Sequence, residues 1–288
     1  MRRNKWNNVI IVAGILGLLS ASCENDNITD TGEDTLLEAT DLVALQQGDD
    51  AEWGVEEVLN LAEEVYQVEA QRLEGKEIVN SGFIPECVTI TTMVKDSKVE
   101  KTIDFGAGCE TPNGNLLSGV VLLSFDPAEP LGTRTLSLSL SSFTFNGIDL
   151  EGGAEVFRTR NNENGNPQSE ISSDFAATWP NGDQATWKGA RSREWIEGFR
   201  SGFWGDNVFL VTGSQTFVNR RGVTYNRTVL NPLRRELACR FLVSGSLQIS
   251  REGWTGVLDF GNGDCDSKGE LELPGGAIQE VTLRRIRS

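Results

Sequence analysis

Five cysteines and no histidine set the limits of the chemistry open to this 288-residue chain. Without imidazole there is no Ser-His-Asp or Cys-His nucleophile, no HExxH zinc site and no histidine acid–base catalysis. The cysteines fall into a pattern that gives each of them a role. Cys87 precedes TIDFGAGC, which ends at Cys109, and Cys239 precedes VLDFGNGDC, which ends at Cys265. In both runs a turn glycine stands ten residues after the Asp, Gly114 after Asp104 and Gly269 after Asp259. A shared motif with matched flanking cysteines implies two related strand–turn–strand modules, residues 87–125 and 239–283, arisen by duplication. Four cysteines allow three pairings, and the repeat selects Cys87–Cys109 with Cys239–Cys265. Loops of that size stabilise by about 3 kcal/mol each in the chain-entropy picture.

Cys23 is left over, and its surroundings explain it. Arg2, Arg3 and Lys5 form a positive start, residues 9–19 are apolar but short for a bilayer span, and Ser20, Ala21 and Ser22 lead to the cysteine. This is the layout of a lipoprotein signal peptide, residues 1–22, with lipid expected on Cys23. Leu19 lies one position further from the cysteine than the usual lipobox places it, and a plain secretory signal or an uncleaved anchor helix is the alternative. The expected partner is therefore the membrane, through that lipid, at a bacterial outer membrane. Two or three acyl chains hold where one would be marginal.

Residues 24–74 contain sixteen Asp and Glu against Arg72 alone, while the whole chain carries −16. The acidity is thus concentrated here, and residues 75–288 carry only −4. Residues 23–49 read as an acidic tether, partly disordered, with Thr35 to Leu45 as a shorter helix within it. Acidic residues just after the lipidated cysteine also resemble surface-export signals of the Bacteroidota, which extends the expectation to display at the cell surface. Asp34-Thr35-Leu36 resembles an O-glycosylation signal of the same bacteria. Nucleic acid is excluded as a partner by like charge and the lack of a basic stripe.

The elements that must position any site divide in two. From residue 50 to 75 apolar residues recur at three- and four-residue steps, Val55, Val58, Leu59, Ala62, Val65 and Tyr66 among them. Asp50 is the expected cap and Gly75 the expected stop of an acidic amphipathic helix that covers an open end or face of the next domain. Residues 84–288 switch to period two, with turns at Asn113-Gly114, Asn146-Gly147, Pro180-Asn181-Gly182 and Arg221-Gly222. Leu237, Cys239, Phe241, Val243, Leu247 and Ile249 alternate as one strand that bends at Gly245. Leu136, Leu138 and Leu140 stand in one phase and Phe143 and Phe145 in the other, which predicts a bulge. About twelve to fourteen strands without a helical interruption predict a mainly β fold, an antiparallel meander closed as a sandwich or barrel, with an N-terminal amphipathic helix.

Residues 84–288 also resemble a family of uncharacterised lipoproteins of the Bacteroidota. The marks are DFGAGC with its following NG turn, FTFNGIDLEGGAEV, GDCD, and NPL before Cys239. That resemblance implies location but no activity.

Three features remain as candidate sites. Asp104 and Asp259, with Asn262, Asp264 and Asp266, are oxygen-rich enough for calcium. The glycine is misplaced for an EF-hand and no bidentate Glu follows, so turn-capping carboxylates are expected and no metal. Trp179, Trp187, Trp195 and Trp204 lie close together with Arg191 and Arg193 interleaved, a combination that suits sugar rings or anionic polymers. Core packing is the commoner use of such indoles. Paired carboxylates of a glycosidase would be set by spatial separation, which sequence hides. The expectation is a non-catalytic envelope or surface lipoprotein, without cofactor, that binds a glycan or an envelope protein. The alternatives are an accessory subunit of an outer-membrane complex and a carboxylate-dependent glycosidase.

Overall fold

The computed structural model describes residues 39–283. Cys23, the signal at 1–22 and the Asp34-Thr35-Leu36 signal lie outside the described residues. One helix, α1 (Ala39–Leu73), is followed by an antiparallel sheet. The sheet begins with β1 (Thr89–Lys95), β2 (Lys98–Asp104), β3 (Cys109–Glu110), β4 (Leu116–Phe125), β5 (Thr133–Phe145), β6 (Ile148–Thr159) and β7 (Gln168–Thr178). It continues with β8 (Gln184–Glu197), β9 (Val208–Val218), β10 (Thr224–Glu236), β11 (Ser244–Arg251), β12 (Trp254–Asn262), β13 (Lys268–Glu272) and β14 (Ile278–Thr282).

Strands pair in chain order, β1-β2-β4 through β14, with β3 a short addition to β4. This is the expected meander. It forms one sheet, where a sandwich would need two. The turns lie where glycine and asparagine announced them. Asn146 and Gly147, both at positive φ, join β5 to β6, and Gly182 donates to the Trp179 carbonyl at 2.8 Å. The phase change in β5 is a bulge, since pairing to β6 shifts register between Ser139 and Phe143 and Ser142 sits at φ +47°. Gly245 holds φ +100° against the carbonyl of Pro232.

Two expectations need correction. Residues 237–243 are a loop and not the start of a strand. Leu237, Cys239 and Val243 are buried in the expected phase, but Leu242 is buried out of phase beside Val243, and Arg235 donates to the Glu236 carbonyl at 2.6 Å and to the Cys239 carbonyl. These carbonyls bond to a guanidinium where a strand would bond to a neighbour. The second correction concerns the helix, which is described from Ala39 and does not start at 50, so the shorter helix expected up to Leu45 is continuous with it and residues 39–49 of the supposed tether are helical. Asp50 is an interior residue 3% exposed, not a cap. Gly75, at φ +65°, does close the end.

The helix does not cover a face; it is the centre around which the sheet curls. Gly54 presses on Leu150 and Phe145, from β6 and β5, so closely that a methyl group would sit 2.8 Å from Leu150 Cδ1. Trp53 meets Phe145 edge to face, and Tyr66 meets Phe125 of β4 likewise. Polar residues of the helix are buried too, because the sheet supplies their counter-charges from inward positions. Glu52 pairs with Arg191 of β8 and, at 2.9 Å, with Arg227 of β10. Glu56 reaches Arg235 at 3.1 Å, Glu63 reaches Arg158 of β6 at 2.6 Å, and Glu69 reaches Lys101 of β2 at 2.9 Å. These four carboxylates of the acidic segment are therefore internal counter-ions for bases spread along the sheet.

Candidate functional site

The tryptophans predicted as a binding cluster are core residues. Trp179, Trp187 and Trp195 are 7%, 3% and 6% exposed. Trp187 stacks on Phe175 across β7 and β8, where the pairing sets them opposite each other. Trp195 packs on Phe199 and Phe209 and donates its indole N–H to the Glu197 carbonyl at 2.7 Å. Trp204 is half-buried against Phe83. Alternation decides this outcome, since Trp187 and Trp195 occupy the inward phase of β8. Arg191 and Arg193 also turn inward, so these tryptophans form no solvent-facing platform flanked by the two arginines. Arg193 lies 3.5 Å from the centre of the Phe209 ring and donates to Asn60 of the helix. Burial pulls its guanidinium down to about 10, with Glu63 and Glu56 opposing.

The duplicated modules behave alike. Cys87–Cys109 and Cys239–Cys265 are disulfides, with Cα separations of 5.8 and 5.7 Å. Asp104 accepts the Gly106 N–H at 2.8 Å, and Asp259 accepts the Gly261 N–H at 2.7 Å. Both carboxylates therefore cap turns. The helix is tied to the first module at Glu57, which accepts from Asn113 at 3.0 Å and from Thr111 at 3.3 Å. Burial raises the Glu57 carboxyl above the ordinary range, against the lowering effect of Asn113 and Asn115. Glu64 is raised by burial as well.

The open chemistry lies on the outer face, which sequence reasoning did not single out. Across β5 to β9 the pairing sets Thr135 beside Phe157, Phe157 beside Glu170, Glu170 beside Ser192 and Ser192 beside Thr212. Two residues along lies a second row, Ser137, Glu155, Ser172, Ala190 and Ser214. Between these rows runs a trough of about 560 Å³. Its floor is shallow-sided because Ala190 and Gly213 carry little or no side chain, while Phe157, Glu155 and Glu170 stand up beside it. Phe157 is 47% exposed, an unusual setting for a phenyl ring. Arg191 borders the trough and is held from inside by Glu52, so the ion layer braces its wall.

Comparison of the chain with protein-family models, curated proteins and solved structures gives no match.

Geometry therefore has to speak for the site. The trough can accept hydroxyl groups, offer carboxylate acceptors and present one apolar ring. Period-two alternation already placed Phe157, Glu155 and Glu170 on one face, and the long polar phase of β5 to β8 marks that face as outer. What the sequence withheld is the strand neighbours that bring them together.

Proposed function

We propose that this protein is a lipid-anchored envelope protein of the outer membrane, displayed at the cell surface, whose β body serves a non-catalytic binding role. The observation that carries the proposal is the partition of the cysteines. Four are paired in two disulfides, as suits an oxidising compartment, and Cys23 remains after a positive start, a short apolar run and three small residues. The resemblance of residues 84–288 to Bacteroidota lipoproteins supports the same location. Against a catalytic role stands the commitment of Glu52, Glu56 and Glu63 to ion pairs between helix and sheet. The enclosure of the helix by the sheet also favours a binding role for the β body over docking through the helix.

Metabolic labelling with palmitate tests the anchor. The wild-type chain should take up label and fractionate with the outer membrane, and Cys23→Ala should do neither. Label retained by Cys23→Ala would overturn the anchor. Display is tested by protease treatment of intact cells, which should digest the chain without lysis.

A further inference from the structure

We infer that the outer trough across β5 to β9 is a carbohydrate subsite that takes uncharged or amino sugars. This deepens the binding role proposed above and is independent of the anchor. The inference starts from what sugars offer: hydroxyl groups around the edge of a ring and a patch of C–H bonds on its face. A site for them needs acceptors and donors at hydroxyl spacing beside an exposed aromatic ring.

The trough has these in register. Neighbouring strands lie about 4.8 Å apart, so the row from Thr135 to Thr212 covers five strands and about 19 Å, the reach of a short oligosaccharide. Phe157 stands in that row, half-exposed, with hydroxyls or carboxylates on every side: Thr135 and Glu170 across the strands, Glu155 two residues back on its own strand. Glu155 and Glu170 are diagonal neighbours, with Cα atoms about 7–8 Å apart, so their carboxylates flank the position a ring stacked on Phe157 would take. The volume, about 560 Å³, falls within the range of small-ligand sites.

Charge then narrows the class. Glu155 and Glu170 are exposed and make no ion pair among the described residues, whereas Glu52, Glu56, Glu63 and Glu69 of the helix are each paired with a base. Arg191, the one base bordering the trough, is engaged by Glu52. Two unneutralised carboxylates repel uronates and sulfated or phosphorylated glycans. They accept hydrogen bonds from neutral sugars and attract an ammonium group.

The test uses the full chain, purified in a detergent without a sugar headgroup, and four probes: N-acetylglucosamine oligomers, glucosamine oligomers, a polyuronate and oligolysine. Titration should show binding of both glucosamine series, tighter for the cationic one at low salt, and none of the polyuronate. Phe157→Ala should weaken both sugars about tenfold, while Phe203→Ala, which removes another exposed phenyl outside the trough, should change nothing. Glu155→Gln with Glu170→Gln should bring the cationic oligomer down to the neutral one. Sugar binding indifferent to Phe157→Ala, or binding of oligolysine alone, would overturn the subsite. Release of reducing ends from a bound probe would support the subsite and overturn the non-catalytic role. Loss of palmitate labelling would strike the anchor without touching this result.

Discussion

Glu52 is the most informative residue to change. Its side chain is 8% exposed and stands between Arg191 and Arg227, whose side chains are 14% and 6% exposed, and Gln215 donates to it at 3.0 Å. Glu52→Gln keeps the shape but removes the charge, so two guanidinium groups lose their counter-ion inside the sheet. Breaking a buried pair from one side costs about 3–5 kcal/mol, because the remaining charge stays desolvated. For a body of this size each kcal/mol lowers Tm by about 2–4 °C, so a fall of about 10 °C is expected. Urea unfolding followed by tryptophan fluorescence should show the same loss in midpoint without a change in slope. The double variant Glu52→Met with Arg227→Met should lose less than the sum of the single changes, since Arg191 is then the one guanidinium of the three-group cluster left without its counter-ion. A loss below about 1 kcal/mol for Glu52→Gln, the range of exposed pairs, would refute the buried ion layer. Strict additivity in the double variant would do so as well.

Other outcomes follow from the same structure. Replacing either cysteine pair with alanine should cost about 3 kcal/mol by denaturant titration, for sequence separations of 22 and 26 residues. Gly245→Ala would force a side chain at φ +100° into the Pro232 carbonyl, and should cost at least about 2 kcal/mol by the same assay. The carboxyl of Glu74 is held at about 2: burial pushes it up, but hydrogen bonds from Arg160 and Lys76 and the charges of Arg160 and Arg200 outweigh that. Its folded value is depressed, so its stabilisation is complete above the unfolded value near 4.5 and is lost as pH falls toward 2. Acid titration of Glu74→Gln should therefore converge on the wild type at the low end. Glu57 is raised by burial, so native protein holds its proton longer and stability falls as pH rises past 4.5. Glu57→Gln should flatten that fall, read as urea midpoints across the range.

Much of the fold is legible from residue types. The meander, the bulge before Phe143 and the disulfides follow from period, phase and repeat, which are local properties. The helix centre from 50 to 73 is legible too, but its place is not. An acidic amphipathic pattern reads as a solvated face, because the bases that neutralise it are scattered one or two per strand from Lys101 to Arg235. Each of these occupies an inward phase, where a charge conflicts with the hydrophobic alternation around it. Arg158 after Val156, and Arg227 after Tyr225, are such conflicts, and they were the available signal. The tryptophans misled for the opposite reason. Their spacing suggested a cluster, yet their phase on β8 already turned them inward. The trough depends on which strand lies beside which, and no single strand shows it.

The charges of the helix also matter before the sheet exists. Synthesis delivers the N-terminal segment first, while Arg227 and Arg235 lie 175 and 179 residues further along from their partners. Gln46 bonds the Thr282 carbonyl across 236 residues. Contacts so distant form late, after the entropy of closing very long loops has been met. In that interval a segment with Leu45, Trp53, Val58, Leu61 and Tyr66 would be an aggregation hazard if it were apolar all round. Its carboxylates keep it in water while it waits, and become counter-ions when the last strands arrive. The same residues thus guard the nascent chain and fill the finished one.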